Sequence, residues 1–195
     1  MPASGYLFRM MSALQDLVEP SVNRATGNHK GALHFSLAAL HYDQGCIEEA
    51  VKDLEETFSV DRGHADAHYL LARIKEDKND IPGAVREYRR AIRSDPGRLM
   101  FHIRLGIAQE KTGNLKAAIK EYRAAITRAP GDGEAHFRLA TALDSAGKLD
   151  DAISEYQETL KIDPAMIDAS ICYQSACKRQ KTSKKNGKEK TSLQF

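Results

Sequence analysis

From residue 31 onward, apolar and small residues return every 34 positions, while the positions between them stay polar. Pro96, Pro130 and Pro164 are 34 residues apart, and each closes a similar run: EYRRAIRSDP, EYRAAITRAP and EYQETLKIDP. With proline at position 32, the chain divides into four frames: 31–64, 65–98, 99–132 and 133–166. Position 7 then holds Leu37, Leu71, Leu105 and Leu139, and position 8 holds Ala38, Ala72, Gly106 and Ala140. Position 20 is Ala50, Ala84, Ala118 and Ala152; position 24 is Leu54, Tyr88, Tyr122 and Tyr156; position 28 is Phe58, Ile92, Ile126 and Leu160. The first frame departs from the others by carrying Arg62 where they carry proline.

The spacing predicts two helices per frame. Small residues at positions 8 and 20 allow two antiparallel helices to approach closely, and the large residues at 7 and 24 fill the space beside them. Gly45, Gly113 and Gly147 at position 15, with Asn79 in the second frame, mark the turn between the helices. Proline stops the second helix of each frame. The expected pairs are 32–44/47–60, 66–78/81–94, 99–112/115–128 and 134–146/149–162. A capping helix follows over 165–181, where Ala169, Tyr173 and Cys177 continue the inner pattern and Gln174 and Lys178 make the outer side polar. Residues 1–30 read as an amphipathic helix over 4–18 (Leu7, Met11, Leu14, Leu17, Val18) followed by a linker, and 182–195 as a disordered basic tail.

Period, small positions, large positions and proline together resemble the tetratricopeptide repeat over residues 31–164. The resemblance implies an all-α fold: a right-handed superhelical solenoid of antiparallel helix pairs, whose first helices line a concave groove. It also implies a function, because proteins of this kind hold partner peptides in that groove at repeat positions 2, 5, 6, 9, 12 and 13. Those positions supply an apolar row here: Phe35, Tyr69, Ile103 and Phe137, joined by Tyr42, Leu70, Met100 and Ile107. They also supply Arg73, Arg104 and Arg138, whose guanidinium groups suit carboxylates on a guest. Two plainer readings stand beside these. Position-5 rings also pack between helices, and Glu76, Asp77, Glu110, Glu134 and Asp144 are available to neutralise the arginines. Four groove repeats at ~10 Å each would accept an extended peptide of about a dozen residues.

Some family members clamp the carboxylate of chaperone tails with Lys, Asn, Asn, Lys and Arg across three repeats. The corresponding residues here are Phe35, Ala39, Leu70, Met100 and Arg104, or one repeat later Tyr69, Arg73, Arg104, Glu134 and Arg138. Only the last of each set matches, so a chaperone-tail clamp is not expected.

Composition narrows the functional classes. The 195 residues are 42% hydrophobic and 29% charged, with no Trp, which is a globular profile. Seven of the 29 basic residues crowd into 178–195 against a single acid, so a mildly acidic body carries a basic end. No aromatic residues interleave those lysines, which argues against base stacking, and nucleic acid and membrane are not the expected partners. Cys46, Cys172 and Cys177 form no CxxC pair and are odd in number, pointing to a reducing, cytoplasmic setting. The N-terminus does not read as a signal peptide. Catalytic motifs and cofactor loops are absent from the pattern.

His34, His68, His102 and His136 all occupy position 4. Neighbouring helices lie ~8–10 Å apart, too far for these rings to share one metal, so they read as flat structural residues. His64 and His68, at i and i+4, are a weaker metal pair of the same kind. The expected function is thus a non-catalytic adaptor or scaffold for a protein or peptide with apolar anchors and acidic groups. Self-assembly into homo-oligomers through the N-terminal helix, or targeting by the basic tail, are the alternatives.

Overall fold

The structure, a computed structural model, describes residues 27–192. The amphipathic helix expected over 4–18 lies outside them. The described residues form helices throughout: α1 Gly27–Asp43, α2 Ile47–Val60, α3 Ala65–Asp77, α4 Ile81–Ser94, α5 Leu99–Lys111, α6 Leu115–Arg128, α7 Gly133–Ser145, α8 Leu149–Ile162 and α9 Ile167–Ser192. Two compact units divide at Pro96 and Gly97. In the N-terminal unit, α1 packs on α2 and α3 on α4; in the C-terminal unit, α5 packs on α6, α7 on α8, and α9 closes against α8.

Each pair is held by the small positions the sequence pattern marks out. Ala38, Ala50, Ala72, Ala84, Ala118, Ala140 and Ala152 are wholly buried, as are the rings of Tyr88 and Tyr122. The N-terminal core gathers Ala38, Ala50, Leu54, Ala67, Leu70 and Ile74; the C-terminal core is built around Tyr122, Leu139, Leu143 and Tyr156. Gly106 marks the tightest approach. A Cβ on it would lie 2.4 Å from Cε1 of Tyr122, so the ring occupies the volume that a side chain would need.

Turn chemistry closes each pair. Gly45, Gly113 and Gly147 have φ of 78°, 76° and 76°, and Asn79 has φ of 60°, so position 15 requires the left-handed conformation in every repeat. Asp80, Asn114 and Asp132 cap α4, α6 and α7 through side-chain oxygens that accept from the backbone N–H three residues on.

The helix limits differ from the expected ones at the two ends of the described region. The first helix begins at Gly27, inside the stretch read as linker. The last continues to Ser192, past the boundary at 181 where a disordered tail was expected. Lys and Glu are good helix formers and Pro is absent from this stretch, so the helix runs on through Asn186 and Gly187, the residues that disfavour it most there. The outer side of α9 is also less polar than expected: Ile167 and Ile171 are 73% and 60% exposed.

The Gly106–Tyr122 contact predicts that Gly106→Val destabilises the protein by about 1–3 kcal/mol through overpacking. Chemical denaturation with unchanged helical content in the folded baseline measures it. Unaltered stability would mean that the ring at position 24 moves freely.

Candidate functional site

The residues expected to line a groove do not share one fate. In the N-terminal unit, Phe35, Tyr42, Tyr69 and Arg73 are half-buried and border a single cleft of about 260 Å³ on α1 and α3. The guanidinium of Arg73 stacks over the Tyr42 ring at 4.8 Å, and the Tyr42 hydroxyl donates to Asp77 Oδ2 at 2.7 Å. Burial and the Asp77 hydrogen bond raise the Tyr42 pKa, with Arg73 opposing them. Phe35 lies against the His64 ring at 4.8 Å, and Tyr69 is 5.7 Å from the Tyr88 ring. Asp43 and Asp66 also border the cleft. Sequence reasoning missed both, and they leave this cleft without the cationic excess that Arg73 alone suggests.

Leu70 also lines this cleft but presents little surface to it. It is 5% exposed and packs with Leu54 and Ile74 in the core. Ile103, also 5% exposed, is a core residue of the C-terminal unit. Both follow from helix geometry: each lies on the side of its helix that meets a neighbouring element, so burial of a large apolar group is favoured over exposure.

In the C-terminal unit, Met100 is 49% exposed and Ile107 is half-buried against the core. Phe137 is half-buried with its ring 6.1 Å from Tyr156. Arg138 Nε donates to Glu134 Oε1 at 2.7 Å, so the neutralising pair considered for this arginine exists. Arg104 is half-buried and makes no ion pair among the described residues. Other acids considered as arginine partners are engaged elsewhere: Glu76 accepts from the Tyr88 hydroxyl at 2.5 Å, Glu110 from the Tyr122 hydroxyl at 2.9 Å, and Asp144 from Arg179.

The histidine row has a role beyond a flat filler. His68, His102 and His136 are buried, and each Nδ1 faces a glutamate nineteen residues on: Glu87 at 3.0 Å, Glu121 at 2.9 Å and Glu155 at 2.7 Å. The other ring nitrogen of His68 lies 3.0 Å from the Arg62 carbonyl, and that of His136 lies 3.1 Å from the Pro130 carbonyl. One imidazole thus ties the first helix of a repeat both to its second helix and to the preceding turn. The signal was present in the sequence, because the glutamate begins each EYRR, EYRA and EYQE run, but nothing there paired position 23 with position 4. Repeat one is the exception: His41 Nδ1 takes Asp53 Oδ2 at 2.6 Å, and the His34 ring makes no hydrogen bond among the described residues. His64 accepts from the Ala67 N–H as the cap of α3, so both members of the His64–His68 pair are committed to the fold. No group of three or more His, Cys, Asp or Glu side chains able to hold a metal occurs among the described residues.

A profile described as tetratricopeptide repeat matches the chain in three overlapping windows: residues 35–98, 69–133 and 103–167. The chain belongs to the tetratricopeptide repeat family. Solved structures with the same architecture include MamA 41-end from Desulfovibrio magneticus RS-1, at 22% identity and TM-score 0.71, covering 84% of this chain and 93% of that one. YrrB, described as a tetratricopeptide repeat protein with an unusual peptide-binding site, is 21% identical with TM-score 0.69, covering 76% and 77%. The first such domain of Spaghetti (RPAP3), solved bound to an HSP90 peptide, is 16% identical with TM-score 0.57, covering 60% and 92%. At these identities the likeness establishes the fold, an all-α helical repeat solenoid. No curated protein matches the chain by sequence. Within this tetratricopeptide repeat protein, no helix among the described residues is long and apolar enough to cross a membrane.

The buried Glu87 yields a pH prediction. Burial pushes its carboxyl upward. The hydrogen bond from His68 and the charges of Arg90 and Lys75 outweigh that and hold the pKa down, to about 2 from an ordinary 4.5. A depressed pKa contributes stability in full above about 4.5, and that stability is lost as pH falls through about 2. Glu87→Gln is therefore expected to cost on the order of 1–3 kcal/mol at neutral pH. Denaturation curves between pH 5 and 2 should show the gap to wild type closing as the pH falls. A pH-independent gap would mean that Glu87 acts by shape and not by charge.

Proposed function

We propose that this protein is a non-catalytic interaction adaptor that holds a partner protein or peptide on the first-helix faces of its repeats. The observation that supports the reading is the cleft on α1 and α3. There three half-buried rings, Phe35, Tyr42 and Tyr69, border one cleft with the Arg73 guanidinium, which stacks on a Tyr42 ring whose hydroxyl is tied to Asp77. A rigid aromatic cleft with an oriented polar group is what a binding surface needs, because little entropy is lost when a guest arrives. Asp43 and Asp66 border this cleft, so the guest's apolar anchor belongs there. Arg104 of the C-terminal unit, which makes no ion pair among the described residues, offers a second and separate place for an acidic group. The peptide-bound and peptide-site relatives of the fold add weight to a groove-binding role.

Affinity capture from native lysate with the full chain tests this reading, using Tyr42→Ala/Arg73→Ala and Arg104→Glu as separate controls. The expected result is a protein held by the wild type and weakened by each variant. A partner retained equally by both variants would overturn the placement on these faces.

A second reading, self-association, is favoured by the exposed Ile167 and Ile171 one turn apart on α9. In a repeat array each apolar helix face is normally covered by the next helix, and these two side chains have no such cover among the described residues. Sedimentation of the full chain over a range of concentrations should then reveal dimers that Ile167→Lys/Ile171→Lys abolishes. A monomer at every concentration removes this reading.

A further inference from the structure

Arg62 stands where the other three repeats carry proline, in the turn between α2 and α3. It borders a cleft of about 540 Å³ that lies within the N-terminal unit. Half-buried Phe58 and Leu71 form its apolar wall, and Arg62, Arg90 and Arg93 bring three guanidinium groups to it. Glu87 also lines the cleft, but its charge is already met. Oε2 accepts from His68 at 3.0 Å, Oε1 accepts from Arg90 at 3.0 Å, and Lys75 Nζ lies 3.5 Å away. Arg62 and Arg93 are exposed and make no ion pair among the described residues. The cleft therefore holds two uncommitted guanidinium groups beside an apolar wall.

The repeat itself does not require them. In the C-terminal unit the same repeat positions carry Pro130 for Arg62, Glu158 for Arg90 and Lys161 for Arg93, and there Lys161 pairs with Glu158. The His136–Glu155 contact forms there as His68–Glu87 does here, with no arginine at any of these three positions. The packing of the helix pair is thus satisfied without the arginines, and Arg62 in addition forgoes the helix-stopping residue used elsewhere.

We propose that this cleft binds a phosphate monoester carried on an aromatic or other flat apolar body. Arg62 and Arg93 take the phosphate oxygens, and the Phe58–Leu71 wall takes the body. Guanidinium groups bind phosphate through paired N–H donors, and a phosphate monoester carries nearly two negative charges at neutral pH, matching two free cations. The volume falls within the range of small-molecule sites. None of these residues belongs to the cleft on α1 and α3, so the two readings stand or fall separately.

The test is a titration of the full chain with phenyl phosphate in low salt, followed by calorimetry or by NMR shifts. The expected result is saturable one-site binding, weakened about tenfold or more by Arg62→Pro/Arg93→Gln and by Arg93→Gln alone, with benzoate binding less tightly than phenyl phosphate. Arg62→Pro restores the residue that the same turn carries at Pro130, and the single Arg93→Gln variant covers the case in which the double variant fails to fold. Lys116→Gln/Lys120→Gln/Arg123→Gln removes three exposed cations from α6 and should leave the affinity within about twofold. Failure of phenyl phosphate to saturate, or equal weakening by the α6 variant, overturns the proposal. A phosphotyrosine peptide that binds more tightly than phenyl phosphate would assign the ester to a protein; equal affinities would assign it to a small molecule.

Discussion

Everything in each unit depends on how closely the two helices of a repeat approach one another. The approach is set where a wholly buried alanine or Gly106 of one helix faces a wholly buried alanine of its partner, with a tyrosine ring beside the contact in three repeats of four. A larger residue at the small positions would push the helices apart, and the ring would then leave a void. Because the ring is buried, its hydroxyl must be satisfied, and Tyr88 and Tyr122 do this by donating to Glu76 and Glu110 on the facing helix. Burial and the adjacent glutamate drive the Tyr122 hydroxyl pKa far above its ordinary value, so it stays a donor at any physiological pH. Shape and polar satisfaction thus arrive together at one position, and carboxylates that look like groove charges turn out to serve the core.

The imidazole–glutamate contact is a second tie between the same helices, one turn before the small residue on the same face of the first helix. It places three ionisable groups, His68, Lys75 and Arg90, around a buried carboxylate in the N-terminal unit. Such a cluster is worth little as a source of net stability compared with apolar packing, but it is costly to break in part, since a lone buried carboxylate would remain. That cost fixes register between helices whose alanine contacts alone would tolerate sliding. The Nε2 contact to the preceding turn extends the same constraint to the boundary with the preceding repeat.

Most of the fold was legible because the constraints that build it are periodic. Pro96, Pro130 and Pro164, the position-15 left-handed residues and the buried alanines each repeat at 34, and a pattern that recurs is readable without coordinates. The candidate surface was legible only in part. Tyr42, Arg73 and Met100 stand where their repeat positions suggest, but Leu70 and Ile103 at groove positions are buried. Helical periodicity assigns a residue to a face, and whether that face is open depends on which neighbouring helix covers it, which periodicity does not encode. Asp43 and Asp66 escaped notice for a related reason: they enter the cleft from helix ends, where position in the repeat says least about direction.

Departures from the repeat then become the informative residues. Positions held by close packing keep their small or large character in every frame, so they say what the fold needs and little about what this chain does. Arg62 breaks the pattern at a position where proline would stop the helix without help, and Arg90 and Arg93 differ in charge or size from Glu158 and Lys161. Three such differences converge on one cleft, while the His–Glu contact beneath them is kept in both units. A scaffold that retains its internal contact and changes only the groups facing outward has separated folding from recognition. Such a separation is what allows one repeat architecture to serve unrelated ligands, and it is why the proposed phosphate site is read from charge at the variable positions and not from any residue of the core.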